Sequence, residues 1–220
     1  MEMQVRRTQA QRSAATQQAL LTAARRLWGE RGYAEVSTPE IAEAAGVTRG
    51  AMYHQFPDKT ALFIAVLEAV ESDVMKRLAV AVAAAQPKTP ADTLHAAADA
   101  WLDIAGEPEV RRLVLLDAPN ILGWAGFREI SLRYGLGLTE QLLAAAIEAG
   151  QLKAQPVRPL ATVMIGALDE AAMSIANAAE ETAEREQVRA VVHDLIDGLM
   201  SGATATPQPR RRQRSAPPAA

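Results

Sequence analysis

Arg49, Gly50, Ala51, Tyr53 and His54 fall within six consecutive positions, and their types suit contact with duplex DNA. An arginine can make a bidentate contact to a guanine edge, an alanine can meet a thymine methyl, and a glycine beside them lets the backbone approach the bases. Tyr53, with Thr38 and Lys59 on either side in sequence, suits phosphate contacts, which set register without carrying sequence information. His54 suits either task. Catalytic chemistry has no comparable constellation: HExxH, G-x-S-x-G and cysteine are all missing, and His54, His95 and His193 lie far apart in the chain without metal-ligand spacing. Gly135-Leu136-Gly137 opens like a dinucleotide loop but lacks the third glycine and a preceding strand. Neither an enzyme, a cofactor nor a metal site is expected.

The elements that must position this set are legible between Ser37 and Lys59. Thr38 is a candidate helix cap followed by Pro39 at the first helical position, and Ser37 with Glu40 offers a capping box one residue earlier as a second solution. Ala42 is small where a second helix must cross, and Gly46 supplies the freedom for a short turn. Thr48 caps the next helix, which lasts about two turns before Pro57 and Asp58. Ile41, Ala45, Val47, Met52 and Phe56 form an apolar wedge. With Met52 and Phe56 inward, a rotation of about 100° per residue turns Gly50, Ala51, Tyr53 and His54 outward, and Arg49 projects from the first turn. Upstream, Leu20, Ala23, Ala24, Leu27 and Trp28 make one apolar stripe, ended by Gly32.

The stretch from about Thr16 to Leu67 resembles the N-terminal DNA-binding domain of TetR-type transcriptional repressors, in helix spacing and in Gly32-Tyr33, Ile41-Ala42, Ala45-Gly46-Val47, Tyr53, Phe56 and Lys59. The resemblance implies DNA-contacting roles for Thr38, Arg49, Gly50, Ala51, Tyr53, His54 and Lys59. This chain departs from the pattern with Trp28 where Phe is frequent and with Gln55 where His is common.

Composition sets the outer bounds. With 220 residues, 49% hydrophobic and only 4% aromatic, the chain is long enough for a real core, and its alanine-rich makeup argues for an all-α protein. We expect a flexible basic arm over 1–15, a three-helix domain containing the helix-turn-helix over 16–60, a larger helical regulatory and dimerisation domain over 61–202, and a disordered Pro/Arg-rich tail over 203–220. Residues 1–60 hold eight Arg/Lys against six Asp/Glu, residues 61–202 eleven against twenty, and residues 203–220 four against none, within an overall charge of −3. The acidic bulk thus lies away from the DNA-facing motif. The lack of cysteine agrees with a reducing cytoplasm, and with neither an apolar signal core nor a long uncharged apolar run, membrane insertion and secretion are not expected.

Leu62, Phe63, Val66, Leu67, Val70 and Val74 extend a helix from about Asp58 to Ala85, a rod joining the two domains and the expected coupling element. Further helices are expected near 91–105, 109–117, 124–149, 158–180 and 184–201, with breaks at Gly106–Pro108, Pro119-Asn120 and 155–159. Asp117, Asn120, Trp124, Phe127 and Tyr134, completed by Trp101, Met164, Leu168 and Met173, are candidates for the wall of an effector pocket, apolar with a few polar anchors.

The helix over 158–179 is apolar nearly all round and kept thin by alanines including Ala167 and Ala171, and Val188, Val191, Val192, Leu195, Ile196 and Leu199 line the last helix. These are the candidate dimer interface, and the resemblance implies that the two helices pair with their copies as a four-helix bundle. The expectation is a homodimeric repressor that binds a palindromic operator in double-stranded DNA and is released by an apolar or amphipathic small molecule. A regulator governed by a protein partner, or by no effector, differs from this only in the pocket; a small-molecule-binding or catalytic helical protein is the remote alternative.

Overall fold

The computed structural model describes residues 8–201. Arg6 and Arg7 of the expected arm and the whole tail over 203–220 lie outside them. Among the described residues every regular element is helical: α1 (Gln9–Arg31), α2 (Thr38–Ala44), α3 (Arg49–Gln55), α4 (Lys59–Ala84), α5 (Pro90–Ala105), a short α6 (Pro108–Val110) that widens into a π-helical segment (Arg111–Asp117), α7 (Ala118–Glu148), α8 (Val157–Asn177) and α9 (Glu181–Ser201).

Helix α1 starts earlier than expected, so residues 9–15 belong to the three-helix head rather than to an arm. Its cap explains this: the Thr8 hydroxyl accepts the Gln11 N–H and the Gln11 side chain accepts the Thr8 N–H, a closed capping box. The apolar stripe of α1 is buried against Ile41, Met52, Phe56, Leu62 and Phe63. Trp28, Tyr33 and Phe63 meet with ring centroids 5.2 to 5.5 Å apart, which accounts for a tryptophan at position 28.

Helix α4, at 26 residues about 39 Å long, leaves the head and crosses the larger domain, where α5 and α7 pack against it, α8 packs on α5 and α7, and α9 packs on α5 and α8. The expected break at Pro119-Asn120 does not occur. Pro119 sits in the first turn of α7, where the π-helical segment passes directly into α-helix. The interruption falls at Gly123, whose φ of 68° and ψ of 168° are open to glycine and strained for other residues. Gly135 and Gly137 lie inside α7, not in a loop.

Helix α8 is long and apolar enough to cross a membrane by length and composition. It nevertheless packs Ala161, Ile165, Ala172 and Ile175 into the interior and buries Asp169, which accepts hydrogen bonds from Arg128 and Ser131 of α7.

Candidate nucleic-acid interface and the cavity behind it

Ser37, not Thr38, caps α2, its hydroxyl accepting the Glu40 N–H. Thr38 is thereby released for another partner: its hydroxyl lies 3.1 Å from that of Tyr53. The turn to α3 closes through Ala45 N–H to the Ile41 carbonyl, Gly46 N–H to that of Glu43 and Val47 N–H to that of Ala42. Gly46 adopts a φ of 66°, as a turn this short requires. Thr48 caps α3 through the Ala51 N–H at 3.2 Å, and Met52 and Phe56 anchor its inner face.

The outer face carries Arg49, Gly50, Tyr53 and His54, all exposed, with Ala51 half-buried. The Arg49 guanidinium stands 5.5 Å from the Tyr53 ring centroid, a cation–π distance. The Thr38 hydrogen bond, and then Arg49, lower the Tyr53 phenol below its ordinary value. Arg49, Tyr53 and Thr38 therefore form one preorganised cluster. A Cβ on Gly50 would meet nothing within 4 Å, so the glycine leaves open space in front of the helix that packing within the protein does not require. Gln55 holds α3 to α1, donating to the Ser13 hydroxyl at 2.9 Å, a tethering role that accounts for a glutamine at this position.

Lys59 has a different setting. As first residue of α4, behind the Asp58 cap, its ammonium donates to the Tyr33 carbonyl at 2.6 Å and lies 4.0 Å from the Tyr33 ring centroid. Burial lowers its pKa, opposed by Asp117. The Asp117 carboxylate in turn accepts the Tyr33 N–H at 2.9 Å. Head and body are thus joined at Tyr33, with further ion pairs from Arg25 to Glu109 and Asp73.

In the body, α4, α5, α7, α8 and α9 enclose a cavity of about 490 Å³. Of the residues proposed for its wall, Trp101, Phe127, Met164 and Leu168 line it. Asp117, Asn120, Trp124, Tyr134 and Met173 do not. Asp117 faces the head; Asn120 donates to the Leu116 carbonyl one turn earlier; Trp124, just past the Gly123 kink, is turned out and 58% exposed. Tyr134 and Met173 pack against the main core.

The expected dimer residues divide as well. Val192 and Ile196 are buried in the chain's own core, because they share one side of α9 with Val188 and Leu199. Val191 and Leu195, on the other side, are each 57% exposed, and Val163 of α8 is 68% exposed. Val163, Ala167 and Leu195 also border the cavity, so its rim lies on this outer face of α8 and α9. Two histidines separated in sequence meet in space: His95 and His193 have ring centroids 4.5 Å apart, each with Nε2 2.9 Å from a carboxylate, of Asp197 and Asp99 respectively, fastening α9 to α5.

Glu71, Asp169 and Ser131 join the cavity wall without having stood out in the sequence. A signal existed: Glu71 stands four residues after Leu67 and three before Val74, on the buried stripe of α4, and Asp169 is placed the same way between Ile165 and Ala172. An acid on a core stripe is costly unless something uses it.

An all-helical head presenting a capped two-turn helix beside a larger helical body with a cavity defines a helix-turn-helix protein with a second, larger helical domain. Comparison with known proteins narrows this. Residues 20–66 match the family described as bacterial regulatory proteins, tetR family, and residues 91–199 match the tetracyclin repressor-like C-terminal domain. A TetR-family transcriptional regulator from Pectobacterium atrosepticum is 33% identical, covering 88% of this chain and 98% of its own, with a TM-score of 0.78. The transposon Tn10 TetC protein of Escherichia coli is 28% identical over 188 residues, 84% of this chain and 92% of its own length. RolR, solved in complex with resorcinol, shares the fold with a TM-score of 0.70 at 20% identity, covering 91% of this chain and 98% of its own. The chain belongs to the TetR family of DNA-binding transcriptional regulators.

Proposed function

We propose that the protein is a homodimeric repressor acting in the cytoplasm, binding a palindromic operator and leaving it when a small molecule fills the cavity of the body. The observation that carries the reading is the outer face of α3, where Arg49, Tyr53 and Thr38 are held together in front of the open space at Gly50. In it Arg49 and Ala51 read bases, Thr38, Tyr53 and Lys59 hold phosphates, and His54 serves either.

Seven residues of recognition helix read only a few base pairs, so a second copy is needed for a useful site. The outer face of α8 and α9, with Val163, Ala167, Val191 and Leu195, supplies an apolar patch for twofold pairing. Two elements span from cavity to head. Helix α4 lines the cavity with Glu71, Val74 and Leu78 and starts at Lys59; the π-helical segment lines it with Val114 and ends at Asp117. A ligand that prefers one arrangement of these elements biases the spacing of the two recognition helices by its differential affinity.

Selection of bound duplexes from a random pool, followed by sedimentation of the protein with and without the selected site, tests the reading. Recovery of inverted half-sites about 10 base pairs apart, bound by two copies, is the expected result; a selected site without twofold symmetry, bound by one copy, contradicts it.

A further inference from the structure

The cavity wall is apolar except at a few points, and nearly every polar group there already has a partner. The Trp101 indole donates to the Leu168 carbonyl at 3.2 Å, the Thr139 hydroxyl to the Gly135 carbonyl at 3.0 Å, and the Ser131 hydroxyl to Asp169 Oδ2 at 2.8 Å. Arg128 is committed to Asp169 Oδ2, at 3.1 Å, and to the Thr162 carbonyl. Asp194 is exposed at the rim. Glu71 differs from all of these. It is 6% exposed, borders the cavity, and has neither a hydrogen-bond partner nor a counter-cation among the described residues.

A carboxyl in this position sets the chemistry of what can sit beside it. A carboxylate ligand would place a further like charge next to Glu71 and Asp169 in a poorly solvated space. A hydrocarbon would leave the acid unpartnered and a neutral hydroxyl would satisfy one oxygen, whereas an ammonium supplies both donors and the missing charge. We propose that the cavity binds a lipophilic monocation, an apolar body bearing one protonated amine, with Glu71 as its counter-ion and Asp169 reinforcing the negative end. The assignment rests on the cavity being the effector site and adds the class of effector. Burial, with Asp169 nearby, pushes the free Glu71 carboxyl up to about 7, the behaviour of a site built for a charge that is absent.

Three ligands with one body and different ends decide the matter: 6-phenylhexylamine, 6-phenylhexan-1-ol and 6-phenylhexanoate, titrated calorimetrically into the full-length protein and into Glu71→Gln at pH 7.5. In the native protein the amine is expected to bind at least about tenfold tighter than the alcohol and the carboxylate. In Glu71→Gln that advantage disappears while the alcohol keeps its affinity. Equal binding of amine and alcohol by the native protein overturns the proposal and leaves the effector cavity standing, and this arm needs no variant. An amine advantage that survives Glu71→Gln also overturns it, since the cation would then sit on the acidic surface. Binding of none of the three overturns the proposal and the effector reading together.

Discussion

Asp117 accepts the backbone N–H of Tyr33 at 2.9 Å across 84 residues of sequence, joining the end of the π-helical segment to the loop between α1 and α2. Since Lys59 donates to the carbonyl of the same Tyr33, both faces of one peptide neighbourhood are held by the body and by the start of α4. In the proposed reading, movement of either element at the cavity reaches the head through Tyr33, beside the Arg25 ion pairs to Glu109 and Asp73.

Asp117→Ala leaves the Tyr33 N–H unpaired and Lys59 without its nearby acid. A loss of about 1–3 kcal/mol in unfolding free energy is expected. Operator affinity should persist, because no group on the outer face of α3 changes, while release by a cavity ligand should weaken. Urea denaturation and fluorescence anisotropy on one preparation measure all three.

Glu71 gives the protein a pH dependence of definite sign. The folded state retains a proton that the unfolded chain releases between the ordinary 4.5 and about 7. The stability contributed by that proton is complete below pH 4.5, falls through this window and is gone above about pH 7. Burial also raises the Asp169 carboxyl, so it contributes in the same direction. Glu71→Gln, which mimics the protonated form, should be more stable than the native protein by up to about 3 kcal/mol at pH 8 and equal to it at pH 4.5. Thermal unfolding of both proteins across that range is the check; parallel curves would mean that Glu71 ionises normally.

Most of the head was readable because local rules act there: the period of α1, the cap at Thr48 and the turn at Gly46 each lie within a few residues of what they determine. The body was not, for reasons that can be named. The π-helical segment and the Gly123 kink rotate the remainder of α7, so Trp124, an aromatic suited to a pocket, ends on the surface. Asp117 looked like a pocket anchor because its partner is 84 residues away. Val191 and Val192 are neighbours in sequence, yet only the packing of α9 on α5 and α8 decides which of them turns outward.

Gly123→Ala tests the kink by itself. A Cβ would meet nothing within 4 Å, so the only penalty is the backbone at φ 68°. A destabilisation of about 1–3 kcal/mol is expected, readable in the denaturation midpoint; a neutral result would mean that the helix straightens without cost.

Gly50→Ala separates folding from DNA contact. The added methyl enters open space, so the melting temperature should not fall. If the α3 backbone closes on base edges, the same methyl intrudes at the interface and operator affinity should drop by about tenfold. Differential scanning fluorimetry and anisotropy report the two quantities separately.

The reading of α3 as the base-contacting element meets its most direct test in one titration: native protein, Arg49→Ala and Lys59→Ala, each against the selected operator and a random duplex over a range of salt. Arg49→Ala is expected to lose about 1–3 kcal/mol on the operator and little on the random duplex, and Lys59→Ala to weaken both alike with a shallower salt slope. Equal losses on both duplexes for Arg49→Ala, with the native protein showing no preference between them, would contradict it.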